Sequence, residues 1–570
     1  MNKKVLALVA FFSLSAQADV LLPVVKKYDL ADNSSMWQKI KTDRLPEMLI
    51  TETSVDDPTN PYSRLFPKSF FQNNDFMVCY NDCSKDSFSG VKDGLLKFNR
   101  FQEWNVVEQS TIYYWLQNYL NFLEERFYFK PNHFLKAYSS REVKDETNSK
   151  LKNNAFFLST DKSLSFLPAN KSILFKLLGG KINRSGFDPS VVVHEAGHFY
   201  FDQIFGHAVN AEIGGLNEGF ADYLANIVLE NPKVGLVMLQ GKALRDSATM
   251  VTSNGQIKSY APGKEVHDLG EGISHLLWNT RNKVTNKEDF DRLVVDAIKD
   301  IARNPYSSVH HFKEAMIART KNVLSGQDLK EILTKWDLLF PGKSNNIESM
   351  AFLDTPITHQ RVAFDISQTS NELMAQTFGI DQVTKLNLEV AGSAEISATQ
   401  SAILIAHKGE DLWVAIDNER KNILGIFHTD GKLLTDKKTL EELKLVVSNA
   451  MDFSTFIKDF GQKLKLFSGL IEGKGEFASA YKVSKVSTTQ TTRIINDHSF
   501  TSQTISMTLK KRIISRLFGL PDITEVELYT APANLHGINL PEYNGETLIG
   551  FNLKFKGGTS QEMVLTKLSL

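Results

Sequence analysis

The strongest hydropathy contrast lies at the start of the chain. Lys3 and Lys4 precede an apolar stretch from Val5 to Leu14, and Ala16-Gln17-Ala18 follows. A positive start, a short apolar run and a small-residue cleavage site read as a secretory signal over residues 1–18. Such a run is too short to cross ~30 Å of hydrocarbon as a helix. No second run of about 18 apolar residues occurs in the chain. The mature protein is therefore expected to be exported, secreted or periplasmic, without a transmembrane anchor.

Residues 19–85 are polar and turn-rich, broken at Asp57-Pro58-Thr59-Asn60-Pro61. They read as either a pro-segment or a small N-terminal subdomain. From Val107 to Phe127 apolar residues return at helical spacing, and Asn154 to Leu158 reads as a strand. Helices are then predicted around 191–206, 214–230, 269–281, 288–303 and 308–322. The texture changes after about residue 350. Lys385 to Val390 alternates, and short apolar runs appear at Ala402 to Ala406, Leu412 to Ile416 and Ile423 to Phe427, with Asp430-Gly431 as a hairpin turn. Helices are expected at Leu440 to Ala450 and Phe453 to Phe467, then strands at Ile523 to Tyr529 and Thr547 to Lys556. The pattern predicts an α+β protein with a helix-dominated middle and a strand-rich region over 351–570. That last region carries no recognised chemical motif.

Length and composition narrow the class. At ~150 residues per domain, 570 residues imply about three or four domains. Hydrophobic residues at 42% and charged residues at 23% fit a globular protein, not a disordered one. A net charge of −1 gives no electrostatic reason to expect nucleic acid or an anionic membrane as partner. With two cysteines a disulfide-rich scaffold is excluded. Cys79 and Cys83 flank an Asn/Asp turn, and export favours a local disulfide between them. The pair alone is too small for a closed zinc site.

The chemistry concentrates in Val191-Val192-Val193-His194-Glu195-Ala196-Gly197-His198. Histidines four apart share one helical face, so both imidazoles can reach one cation. Glu195 lies beside that face, placed to take a proton from a metal-bound water. A catalytic zinc needs a third protein ligand and an open position. Gly215-Leu216-Asn217-Glu218-Gly219-Phe220-Ala221-Asp222 supplies the candidate: Glu218 as third ligand, with Asp222 one turn later to accept the free ring N–H of a ligating histidine. The plainer alternative is an amphipathic helix with hydrogen-bonded histidines, followed by two solvated acids. His310-His311 reads as a solvated helix start. His207 and His275 are expected near the site but not on the metal.

These two segments resemble the gluzincin metallopeptidases, in particular the thermolysin-like and fungalysin-like families. The resemblance spans roughly residues 90–350. It implies a two-lobe peptidase domain over 86–350, a mixed lobe with an edge strand plus a helical lobe, with one Zn2+ between them. It implies His194, His198 and Glu218 as ligands, Glu195 as general base and Asp222 as the partner of a ligand. Asp202 and Gly206 also fall where such enzymes carry the same residues. Asn153-Asn154-Ala155-Phe156-Phe157 is similar to the edge strand that holds substrate backbone, which makes Asn154 and Ala155 candidate substrate contacts. Val266-His267-Asp268-Leu269-Gly270-Glu271 resembles the fungalysin H-x-x-G-E stretch and implies that His267 stabilises an oxyanion. Val209 stands where thermolysin-like enzymes have a tyrosine, and Ala261-Pro262-Gly263-Lys264 lacks their aspartate. No calcium-binding carboxylates are identified, so calcium is left open.

The function expected is a zinc metalloendopeptidase acting on protein or peptide. Two alternatives stand beside it: a gluzincin aminopeptidase, and an exported binding or adhesion protein on a relict peptidase fold. No G-x-M-E-N-like segment for an α-amine is present, which disfavours the first.

Overall fold

The structure, a computed structural model, describes residues 20–29, 34–42, 71–81, 90–92, 95–97, 103–143, 152–159, 161–169, 183–206, 210, 212–251, 257–261, 266–344, 346–355, 361–369, 383–419, 422–440, 443, 464–471, 473–474, 478, 481–495, 498–511, 523–532, 540–555 and 560–569. The stretch expected to be turn-rich contains long strands. β1 (Val20–Asp29) pairs antiparallel with β2 (Ser34–Thr42). A five-stranded sheet follows, in the order β3-β4-β7-β9-β8. Its strands are β3 (Phe71–Gln72), β4 (Phe76–Tyr80), β7 (Leu135–Ser139), β8 (Ala155–Leu158) and β9 (Ser163–Phe166). The short β5 (Gly90–Lys92) and β6 (Leu95–Lys97) join β1 and β2 in a separate four-stranded sheet. Cys79 is buried in β4. Cys83 lies outside the described residues, and with it the predicted bridge.

Helix α1 (Glu103–Phe127) lies in sequence between β4 and β7, which pair in parallel and so require a crossover. Its apolar face, through Ile112, Leu116, Tyr119 and Leu123, is fully buried. α2 (Pro189–Phe205) follows, buried at every position from Pro189 to Phe201. Asp188 starts it by accepting the Ser190 N–H, with Pro189 preset at the first helical position. α3 (Glu212–Leu229), α4 (Val266–Arg281), α5 (Lys287–Ile301), α6 (Val309–Thr320) and α7 (Gly326–Leu339) complete the helical half. One continuous core joins these seven helices to the five-stranded sheet. Fully buried Asp291 of α5 accepts from Arg126 and Arg281, both at 2.9 Å, and from the Tyr223 hydroxyl. That one carboxylate ties together α1, α3, α4 and α5.

The expected solvated pair at the start of α6 is corrected by the packing. His310 is fully buried, its ring meets Tyr260 edge-on, and Nε2 reaches the Pro341 carbonyl at 3.0 Å. His311 forms a capping box with Ser308. Both histidines have structural work at this helix start.

Beyond residue 355 most of the described residues lie in strands. An eleven-stranded antiparallel sheet runs β16-β15-β14-β13-β12-β22-β21-β19-β18-β17, with β20 paired to β21. Its members are β12 (Arg361–Thr369), β13 (Val383–Glu395), β14 (Gln400–His407), β15 (Glu410–Asp417), β16 (Asn422–His428), β17 (Tyr481–Ile495), β18 (His498–Lys511), β19 (Ile523–Pro532), β20 (Glu542–Tyr543), β21 (Glu546–Phe555) and β22 (Ser560–Ser569). The predicted strands fall inside these elements, apart from Lys556, which lies outside the described residues. Much of the two predicted helices lies outside the described residues, although residues 464–471 are helical.

This sheet is fastened to the helical half at the connection between α2 and α3. The buried Asn210 amide donates to the carbonyls of Tyr306 (2.7 Å) and Ser307 (3.0 Å), and its oxygen accepts the Ile423 N–H of β16 at 2.8 Å. Tyr306 reaches across to the Leu434 carbonyl at 2.6 Å, and its ring sits in the apolar core of β13 to β16. Among the described residues no helix is long and apolar enough to cross a membrane.

Candidate metal centre

The sequence brings three helices into close register. Gly197 of α2 lies against α3; a Cβ there would come within 2.8 Å of Ala221 Cα. Gly270 of α4 lies against α3 in the same way, 2.6 Å from Glu218 Cβ for an added Cβ. Each glycine permits a backbone approach that alanine would block. The result is that His194, Glu195 and His198 of α2, Glu218 and Asp222 of α3, and His267 of α4 face one place.

The nitrogen and oxygen atoms of His194, His198 and Glu218 all lie within 4.8 Å of one another. The two imidazole Nε2 atoms are 3.1 Å apart, His194 Nε2 is 3.3 Å from Glu218 Oε2, and His198 Nε2 is 3.6 Å from Glu218 Oε1. Tetrahedral zinc bonds of about 2.0–2.1 Å would space their ligand atoms about 3.3 Å apart. The three separations bracket that value. Each histidine is oriented from behind: His194 Nδ1 donates to Asp222 at 2.8 Å, and His198 Nδ1 to Asn217 at 2.9 Å. Both Nε2 atoms are thereby left to face each other, which requires a proton or a cation between them. Glu195 Oε2 is buried with no hydrogen-bond partner among the described residues. The donor set fits a divalent cation, and that buried oxygen is left unsatisfied without one.

The electrostatics agree. Burial alone would lower the His194 imidazole, but the Asp222 charge and hydrogen bond, helped by Glu218, raise it to about 10. Without a metal a proton therefore occupies that gap. Burial and the His194 charge together push His198 down to about 4. Against burial, the hydrogen bond from His194 and the charges of His198 and His194 hold Glu218 at about 2. Asp222 is held well below the carboxylate range by Arg245 and His194, although burial opposes them. Burial pushes Glu195 up to about 7, with His194 opposing and Glu218 adding to the rise.

The site opens into a cleft of about 650 Å³. β8 forms one wall; it is the edge of its sheet, pairing only β9 among the described residues. Asn154 and Ala155 line the cleft from that edge, as do Phe156 and Phe157. Val191, Val234, Met238 and Leu244 supply an apolar wall. His267, in the first turn of α4, has a side chain 49% exposed with Nε2 3.5 Å from Glu218 Oε2. It borders the metal set without joining it. Asp202 pairs with Lys162 at 2.6 Å, bracing α2 against the turn between β8 and β9, and Gly206 caps α2 with φ of 71°.

Two residues escaped the sequence reading. Arg245 of β11 (Arg245–Asp246) grips Asp222 with two hydrogen bonds, Nε to Oδ2 at 2.7 Å and Nη2 to Oδ1 at 2.8 Å. It sits 23 residues beyond Asp222 in a two-residue strand, so no helical spacing could point to it. Asn217 was legible only as a neighbour of Glu218. His207, Val209 and 262–264 lie outside the described residues. His275 is buried, its Nδ1 donating to the Ser247 carbonyl at 2.9 Å, and it lines no part of the cleft.

Burial pushes His275 down to about 4, although its hydrogen bond to Ser247 opposes the fall. A histidine depressed on folding contributes stability that is complete above its unfolded value near 6.5 and is lost as pH falls through 4. The span corresponds to about 3 kcal/mol. In chelator-treated protein, His275→Asn keeps an N–H for Ser247 and should show a flatter fall in urea midpoint between pH 7 and pH 4.5 than the wild type. Equal slopes would mean that His275 does not titrate as described.

No family model matches the chain, and no curated protein matches it. Among solved structures it is similar to "Precursor of Protealysin, Metalloproteinase from Serratia proteamaculans", with a TM-score of 0.35 and 14% identity over 46% of this chain and 85% of that one. A likeness that small carries no weight for the site, which rests on its own geometry.

Proposed function

We propose that the protein is an exported zinc metalloendopeptidase of the two-lobed, thermolysin-like type. Its peptidase domain would span 86–350, with a strand-rich region of unassigned role over 351–570. The observation that carries this reading is the convergence of His194, His198 and Glu218 within 4.8 Å, beside the buried, unpartnered Oε2 of Glu195. When bound, zinc would polarise the scissile carbonyl and lower the pKa of an attacking water.

This chain's residues do the rest. Glu195 takes the water's proton as it attacks and returns it to the leaving amine. His267 donates a hydrogen bond to the oxyanion that develops at the same moment. Asp222, itself held by Arg245, and Asn217 keep both ligand histidines in the tautomer that leaves Nε2 free. The edge strand β8, with Asn154 and Ala155, takes the substrate as an added extended strand.

Elemental analysis of metal-loaded protein should find one zinc per chain. The same sample should cut an unstructured protein and an N-terminally blocked peptide, stop with a chelator and resume with added zinc. Absence of zinc would sink the metal site. Cleavage restricted to peptides with a free N-terminus would make the enzyme an aminopeptidase.

A further inference from the structure

The segment that resembles H-x-x-G-E contains one residue the mechanism above does not use. Gly270 is accounted for by the contact between α3 and α4, and His267 by the oxyanion. Glu271 follows Gly270 and lies one turn along α4 from His267, on the same face. It too lines the cleft, with its side chain 14% exposed.

Its setting is built. The side chain of Lys258 is buried at 2% exposure, and its ammonium is fixed between the Asp246 carbonyl (2.6 Å) and Glu271 Oε2 (3.0 Å). This lysine orients the carboxylate from behind, so Oε2 is committed. Oε1 makes no hydrogen bond among the described residues and is not among their buried, unpartnered atoms. A carboxylate oxygen can accept two hydrogen bonds, so this one is left to the cleft. The other cation of the cleft wall, Arg245, spends its Nε and Nη2 on Asp222. Glu195 and Glu218 belong to the metal centre, and the remaining walls are largely apolar. Glu271 is thus the charged group of the cleft that the chemistry leaves over.

We infer that Glu271 is a specificity residue which selects substrates carrying a cationic group close to the scissile bond, through a charge-assisted hydrogen bond to Oε1. The inference rests on the peptidase reading and adds the substrate class. One helical turn is about 5.4 Å, and an extended peptide advances about 3.3 Å per residue. With His267 at the scissile carbonyl, the recognised group belongs to a residue one or two positions from the cut. A lysine or arginine side chain supplies the cation, and so does the α-amine of a short peptide.

The test compares peptides that differ only by arginine against its neutral isostere citrulline at each position flanking the cut, with the N-terminus free or acetylated. Zinc-loaded full-length protein should prefer arginine at one such position by about tenfold in kcat/KM, the size of one charge-assisted hydrogen bond. Glu271→Gln should bring the arginine-to-citrulline ratio of kcat/KM down to about one. That variant leaves the Lys258 ammonium unpaired, so Glu271→Gln with Lys258→Met is the companion that leaves no buried charge behind. Its preference should vanish equally. Preference that follows the free N-terminus assigns the cation to the α-amine; preference that survives acetylation assigns it to the side chain. Equal cleavage of every peptide by the wild type overturns the inference and leaves the peptidase reading standing, as does a preference that persists in both variants. Failure to cut any peptide overturns both.

Discussion

A Glu195→Gln variant is expected to bind zinc with unchanged stoichiometry and to lose about 10²–10⁴ in kcat, the range that a positioned general base supplies. Glutamine keeps the shape and one acceptor but cannot take a proton. The burial that raises Glu195 to about 7 also makes a neutral side chain easy to accommodate there, so folding should be unaffected. KM should change little, because the loss falls on a step and not on binding. Single-turnover kinetics of zinc-loaded variant and wild type would measure it. Undiminished kcat would remove Glu195 from the mechanism and leave the metal site without a base.

The second large effect is expected behind the metal, at Arg245. In Arg245→Met the Asp222 carboxylate remains buried and loses two hydrogen bonds from its counter-charge. Stripping one partner from a buried ion pair costs about 3–5 kcal/mol. Asp222 would then lean on His194 alone, and disturbing such a support typically weakens metal affinity about 10–100-fold. A drop in melting temperature in chelator, together with faster zinc loss to a competing chelator, would show both effects. The double variant Arg245→Met with Asp222→Asn should recover much of the stability but not the zinc affinity. That outcome would separate the charge pair from its orienting role. Full zinc affinity in Arg245→Met would refute the account of this residue.

What could be read in advance follows from how local each signal is. His194 and His198 share a helix, and Glu218 and Asp222 share the next, so 3.6-residue spacing exposes them. Gly197 brings α2 against α3 and Gly270 brings α4 against α3, and their role becomes visible only when facing backbones are placed. Arg245 and Lys258 reach the site from short segments, where no periodicity marks a direction. The strands β1 and β2 were missed because Pro23 and the Lys26-Lys27 pair interrupt the apolar run that would announce β1. His310 looked solvated beside His311, and its burial depends on Tyr260 and Pro341, some 50 and 31 residues away.

A peptidase of the proposed kind is exposed to its own activity, and a cut between α7 and β12 would separate the helical half from the large sheet. Asn210 and Tyr306 change what such a nick would do. Their hydrogen bonds and the buried tyrosine ring clasp β16 and its neighbours to Asn210, between α2 and α3. A severed backbone would therefore leave two fragments held as one particle, and the helical half would not be shed as a smaller, freely diffusing form.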